Sequence, residues 1–233
     1  MSVGCTRARR TGRCASGSRI APLLLLCVAL ARMPPPLLVC FAGGASGAWR
    51  VDSVSAVTGE SLPFAPFVDI TEGDAAHAAQ VAPPDAAPAA WRLSGVVSSL
   101  KYATRAELQE MTAKGQRASQ GWASPPGTRA ALIPIRKNAA WWAMAQDERR
   151  AVMTAGGHVS PIGVAALPAV ARRLHHCREL GGAVAQPFDF LTWFEYAEDD
   201  AATFEALVAA LRATPEWGFV DREVDVRLTR VDA

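Results

Sequence analysis

Alternation is the feature that most narrows what this chain can fold into. Val224, Val226 and Leu228 alternate with Arg and Asp in the closing segment 217–230. Residues 49–57 show the same rhythm, and in 91–102 Leu93, Val96 and Leu100 stand among Ser and Gly. A strand sends successive side chains to opposite faces, so a period of two marks an element with one buried face and one solvated face. Antiparallel sheets meet that condition.

Helix signals fall between the strands. Thr104-Arg105-Ala106-Glu107 is a capping box, which predicts a helix to about Lys114. Asn138 can cap a helix carrying Trp141, Met144, Ala145 and Val152 on one side and ending at Gly156-Gly157. Ser160-Pro161 predicts a short helix that Pro168 ends. Residues 200–214 place Phe204, Leu207, Val208 and Leu211 on one helical face. Residues 36–42, 129–135, 169–177 and 186–196 read as further strands, and the Ala- and Pro-rich stretch 71–90 as a loop. The expected fold class is α+β: tandem ferredoxin-like modules, an antiparallel sheet with helices on one side, of the dimeric α/β-barrel type. The division predicted is 33–137 for the first module and 138–233 for the second.

A chain of 233 residues with a formal net charge of +2 has a real core and no strong pull on nucleic acid or a membrane surface. Residues 1–19 hold five arginines and no acid, and 20–31 are apolar. Two readings of this leader stand side by side. Cleavage after the small-x-small pattern Ala29-Leu30-Ala31 makes it a signal peptide and the protein periplasmic. Translation from Met33 makes it an upstream extension and the protein cytoplasmic. Cys40 and Cys177, the cysteines outside it, have no paired spacing, which argues against a disulfide framework or a zinc site.

Four histidines are candidates for metal chemistry. His158 follows Gly-Gly and reads either as a surface loop residue or as a ligand. His175 and His176 are neighbours on a strand, so they face opposite ways and cannot share one metal. His77 sits in the low-complexity loop. Arg172 lies on an otherwise apolar strand face with Val170 and Leu174. It either pairs with an internal carboxylate or offers its donor fork to a small oxyanion. Trp141 and Trp142 are either core filler or a wall for a flat ligand.

Ile133-Pro134-Ile135-Arg136-Lys137 leads into Trp141-Trp142. Asp147-Glu148-Arg149-Arg150, Gly157-His158, Leu167, 170–180 (VARRLHHCREL), 189–195 (DFLTWFE), Phe204, Leu207 and 211–217 follow. In this order and spacing, the stretch from about Trp91 to the C-terminus resembles the chlorite dismutase family. The resemblance implies a ferredoxin-like domain binding haem b in the C-terminal half, a haem-free copy before it, and a homodimer or homopentamer. It implies that His158 ligates the iron, with Glu216 behind its other nitrogen, and that Arg172 is the distal catalytic arginine. Lys137, Trp141 and Trp142 match positions near the haem edge, where a lysine can pair with a propionate. The gap from His158 to Arg172 is one residue longer than the family pattern, and a longer turn at Ser160-Pro161 would absorb it.

The activity implied is conversion of chlorite, a small oxyanion, to chloride and dioxygen. Related readings are a coproheme decarboxylase, a weak haem peroxidase, and a non-enzymatic haem-binding ferredoxin-like oligomer. The decarboxylases place a tyrosine where Ile133 stands and a glutamine where Arg172 stands. Neither Tyr102 nor Tyr196 matches the tyrosine position, which favours the chlorite side of the family.

Overall fold

The computed structural model describes residues 37–73, 89–97, 103–115, 124–178, 180 and 186–231. All lie in one compact unit, Pro35–Ala233. The leader, most of the 71–90 loop with His77, and Tyr102 lie outside the described residues. The strands are β1 Leu38–Gly44, β2 Trp49–Thr58, β3 Phe67–Glu72, β4 Trp91–Val97, β5 Arg129–Lys137, β6 Val170–His176, β7 Phe190–Tyr196 and β8 Val220–Arg230. The described α-helices are α1 Arg105–Lys114, α2 Ala139–Ala143, α3 Gln146–Ala155 and α4 Ala201–Arg212. Among the described residues no helix is long and apolar enough to cross a membrane.

Every strand pairing is antiparallel. The order is β1-β3-β2-β8-β5-β7-β6-β4, and β4 returns to β1, so the sheet closes on itself. β5 pairs with β7 on one side and β8 on the other. Both neighbours belong to the second half of the chain, although a division at 137/138 puts β5 in the first.

Alternation divides β5 and β7 between two cores. Val39, Phe41, Trp49, Val68, Leu93, Leu132, Leu191, Trp193, Val224, Val226 and Leu228 fill the barrel interior. Trp193 meets Trp49 edge-on with ring centroids 4.9 Å apart, and Phe41 at 5.7 Å. Ala131, Ile133 and Ile135 of β5 and Phe194 and Tyr196 of β7 point the other way. There they meet Phe204, Leu207, Val208 and Leu211, the predicted face of α4.

Local signals place most helix starts. Thr104 Oγ1 accepts the Glu107 N–H at 3.2 Å and Glu107 returns a bond to the Thr104 N–H at 2.6 Å, completing the capping box. Asn138 Oδ1 accepts the Trp141 N–H at 3.1 Å. The structure departs from expectation at several points. The single helix from Asn138 to Gly156 is two, because Met144 and Ala145 are extended. Glu148 accepts the Ala145 N–H at 2.6 Å and starts α3 afresh. Its buried residue is Met153, while Ala145 is exposed. β3 occupies 67–72, where the loop was expected to begin. β8 is not solvated on its polar face: Glu223 is wholly buried, bound by Arg212 and by Trp217 Nε1.

Candidate functional site

A pocket lies against the sheet face that α4 covers. Ile133 and Ile135 of β5, Leu174 of β6, and Phe190, Thr192 and Phe194 of β7 line it from the sheet. Trp141, Met153, Val208, Leu211 and Trp217 line it from the helical side. Four ionisable residues enter this largely apolar shell: Lys137, His158, Arg172 and Glu216. The structure thus brings together residues spread over 80 positions of the sequence.

His158 opens a wide turn, 158–163, that follows α3. The turn is closed by the Ile162 N–H bonded to the Gly157 carbonyl at 3.0 Å, a five-residue span that houses one residue more than an α-turn. Gly157 carries it in: its φ is +67°, and a Cβ there would stand 2.8 Å from the Pro161 ring. The His158 side chain is buried rather than loop-exposed, at 6%. Glu216 comes from the short 3₁₀ turn Pro215–Phe219 that links α4 to β8.

His158 Nδ1 lies 2.6 Å from Glu216 Oε2. The other oxygen, Oε1, is 3.0 Å from Lys137 Nζ, which also donates to the Glu216 main-chain carbonyl at 3.0 Å. The Lys137 ammonium faces the rings of Trp141 at 4.7 Å and Trp217 at 5.3 Å. Burial alone would raise the Glu216 carboxyl, but the contacts with His158 and Lys137 outweigh it and hold its pKa at about 2. Burial, reinforced by Arg172, pushes His158 below its ordinary value despite Glu216. The state is a carboxylate beside a neutral imidazole. A guanidinium can only donate, so a neutral ring that meets Arg172 keeps its lone pair on Nε2 and its hydrogen on Nδ1, on the Glu216 side.

That Nε2 meets Arg172 Nη2 at 2.7 Å. Arg172 reaches it from β6, with its guanidinium 5.9 Å from the Phe194 ring centre. Among the described residues no group of three or more His, Cys, Asp or Glu side chains is placed to hold a metal ion. The ligand His158 can offer is therefore one neutral imidazole backed by a carboxylate, which suits a metal whose other ligands arrive with a flat cofactor. The Trp141 indole N–H lies buried in the same wall with no hydrogen-bond partner.

The sequence-derived candidates thus separate. His158, Glu216, Arg172, Lys137 and Trp141 converge on the cavity. Lys137 directs its ammonium to Glu216 rather than outward to an acid group on a ligand. Trp142 is outside the lining: it stacks on Phe190 at 5.9 Å, donates to Asp189 at 3.2 Å and lies under Arg178 at 4.0 Å. His175 turns into the barrel, bonded to the Leu191 carbonyl at 3.0 Å. His176 packs edge-on to Phe190 at 4.9 Å. Sequence reasoning missed Trp217, whose ring lies 6.4 Å from the His158 ring, and Met153. The signal for Trp217 was its place beside Glu216.

No family model matches the chain. Solved structures do. A dimeric chlorite dismutase from Nitrobacter winogradskyi is 48% identical, over 83% of this chain and 99% of that one, with a TM-score of 0.67. Two mutant chlorite dismutases from Candidatus Nitrospira defluvii share the fold at 18% identity. One, in complex with cyanide, covers 85% of this chain and 92% of its own at a TM-score of 0.59. The other covers 84% and 92% at 0.60.

Proposed function

The chain belongs to the chlorite dismutase family, and from that we propose that it is a haem b oxidoreductase converting chlorite to chloride and dioxygen. The observation that carries this reading is the His158–Glu216 pair, with the imidazole Nε2 turned to Arg172 inside the pocket. His158 would hold the iron, and Glu216 would fix its tautomer and strengthen its donation. Lys137 keeps Glu216 ionised. Trp141 and Trp217 would wall the porphyrin, and the Trp141 indole N–H is left over for a ligand atom.

Haem, when bound, supplies the redox chemistry of oxygen-atom transfer. The chain's own residues bind, orient and exclude water. Arg172 offers a permanently charged donor fork to the oxyanion and its fragment, keeping both in place. Ile133, Leu174, Phe194 and Leu211 keep the surroundings apolar. Chlorite contains every atom of chloride and dioxygen, and the conversion takes up neither protons nor electrons. No carboxylic acid is needed beside Arg172. Ile133 presents no phenol to the cavity, which separates this reading from a coproheme decarboxylase.

The strand–helix–strand–strand–helix–strand order of 129–230, with sheet order β8-β5-β7-β6, has the ferredoxin-like pattern. β4-β1-β3-β2 repeats the sheet order, with four residues instead of helices between its first two strands. We therefore read the barrel as two ferredoxin-like modules whose boundary lies within 115–128, and we extend the dimer of the Nitrobacter protein to this chain. The test is spectroscopic and then catalytic. Hemin added to the purified protein gives a Soret band that His158→Ala abolishes, and chlorite then releases dioxygen in the wild type but not in Arg172→Ala. A wild type without a Soret band, or with one but no dioxygen release, overturns the reading.

A further inference from the structure

One hydrogen bond sets the tautomer of the His158 ring. Arg172 at Nε2 can only donate, while Glu216 Oε2 lies 2.6 Å from Nδ1, out of line for a hydrogen bond. The imidazole therefore carries its hydrogen on Nδ1 and offers Arg172 the one lone pair on Nε2. A single lone pair lying in the ring plane either accepts an N–H or binds a metal. It cannot do both.

We propose that Arg172 caps the metal-binding nitrogen of His158, so that haem reaches its ligand only when the guanidinium swings away. This rests on the reading that His158 is the haem ligand, and it deepens that reading. Arg172 then acts twice. Before loading it holds the imidazole in the orientation and tautomer that a metal requires. On loading it is displaced from Nε2, and its donor fork becomes available to an anion. The cap opposes haem binding by the strength of one hydrogen bond from a charged donor, part-buried in the pocket that Leu174, Phe194 and Leu211 line. Bonds of that kind are worth about tenfold to hundredfold in an equilibrium constant.

The experiment is a hemin titration of the haem-free protein, read by Soret absorbance, with wild type, Arg172→Ala and Arg172→Leu side by side. The leucine variant keeps more of the buried volume. The expected result is a hemin dissociation constant lowered at least tenfold in the variants, with the band still lost in His158→Ala. Unchanged or weaker binding in variants that fold overturns the proposal and leaves the haem reading intact. A wild type with no band, or a band that survives His158→Ala, removes the haem reading and the proposal with it. A second readout needs no variant of Arg172 to fold. In haem-free wild type labelled with ¹⁵N-histidine, the Nε2 resonance of His158 should be that of a hydrogen-bonded, unprotonated ring nitrogen. A protonated Nε2 overturns the cap.

Discussion

Replacing Glu216 by Gln should expose how the site is held together. The substitution keeps shape and leaves an amide oxygen for the His158 Nδ1–H, but it removes the counter-charge of Lys137. The Lys137 and Glu216 side chains are only 2% and 7% exposed. Removing one partner of a buried pair costs about 3–5 kcal/mol. Two features hold the loss to the lower end, about 3 kcal/mol: the Lys137 bond to the Glu216 main-chain carbonyl survives, and the rings of Trp141 and Trp217 still face the ammonium. There is also a ceiling. The ammonium can shed its proton, which at pH 7 costs about 4.6 kcal/mol from an ordinary lysine pKa. Urea denaturation should show the deficit, with a melting temperature lowered by about 6–12 °C.

The sign with pH follows from the same group. Burial already holds the folded Lys137 below its ordinary value in the wild type, and Glu216 opposes that. Without Glu216 the folded pKa falls further, so the unfolded chain binds the proton more readily between that value and about 10. The variant must therefore gain stability as pH rises from 7 towards 10. Adding Lys137→Met should recover much of the loss, because an apolar pair of similar volume replaces a broken charge pair. A Glu216→Gln protein within 0.5 kcal/mol (roughly the scatter of neutral surface changes) of wild type at pH 7, or one whose deficit grows with pH, refutes the reasoning.

Other expectations are simpler. Phe204, fully buried between Phe194 and Tyr196, should cost about 3–5 kcal/mol as Phe204→Ala in chemical denaturation. A cost below 1 kcal/mol would mean that α4 does not seal the cavity. His175, whose pKa burial lowers to about 4, contributes stability present above about pH 6.5 and lost as pH falls towards 4. The wild type should lose about 3 kcal/mol over that range from this group, and a His175→Leu series that falls as steeply would show the group is not responsible. Cys40 and Cys177 are buried, with thiols raised by burial. Mass-spectrometric mapping should find both unmodified by a thiol reagent until urea unfolds the protein, and rapid native labelling of either would contradict their packing.

The sequence revealed what local rules govern. Capping residues placed the starts of α1 and α2, and alternation located β8 and the split of β6 between Arg172 and Arg173. The site's imidazole, carboxylate and guanidinium came from the family resemblance, which residue spacing alone would not have supplied. What stayed hidden was tertiary. Lys137 finds Glu216 across 79 residues, so no local pattern announces the pair. β7 is buried at every position, FLTWFEY, and a strand covered on both faces shows no alternation from which to choose a cavity side. Glu223 looked solvated because a charged residue on a closing strand usually is, and only Arg212 and Trp217 explain its burial. The break at Met144–Ala145 carries no glycine or proline, and Glu148 makes it by capping from within the predicted helix.

The division of β5, β6 and β7 between barrel interior and cavity wall affects how such a protein can change. Neighbouring positions serve separate purposes, so a substitution can reshape the pocket and leave the interior packing untouched. A deletion of one residue within β6 is a different matter. It would shift the strand's parity beyond the cut, so that Arg172 left the pocket and Arg173 left Glu72. Pocket chemistry in this architecture can drift by exchange of residues, while the lengths of these three strands are locked, and variation in length is left to the connections between them.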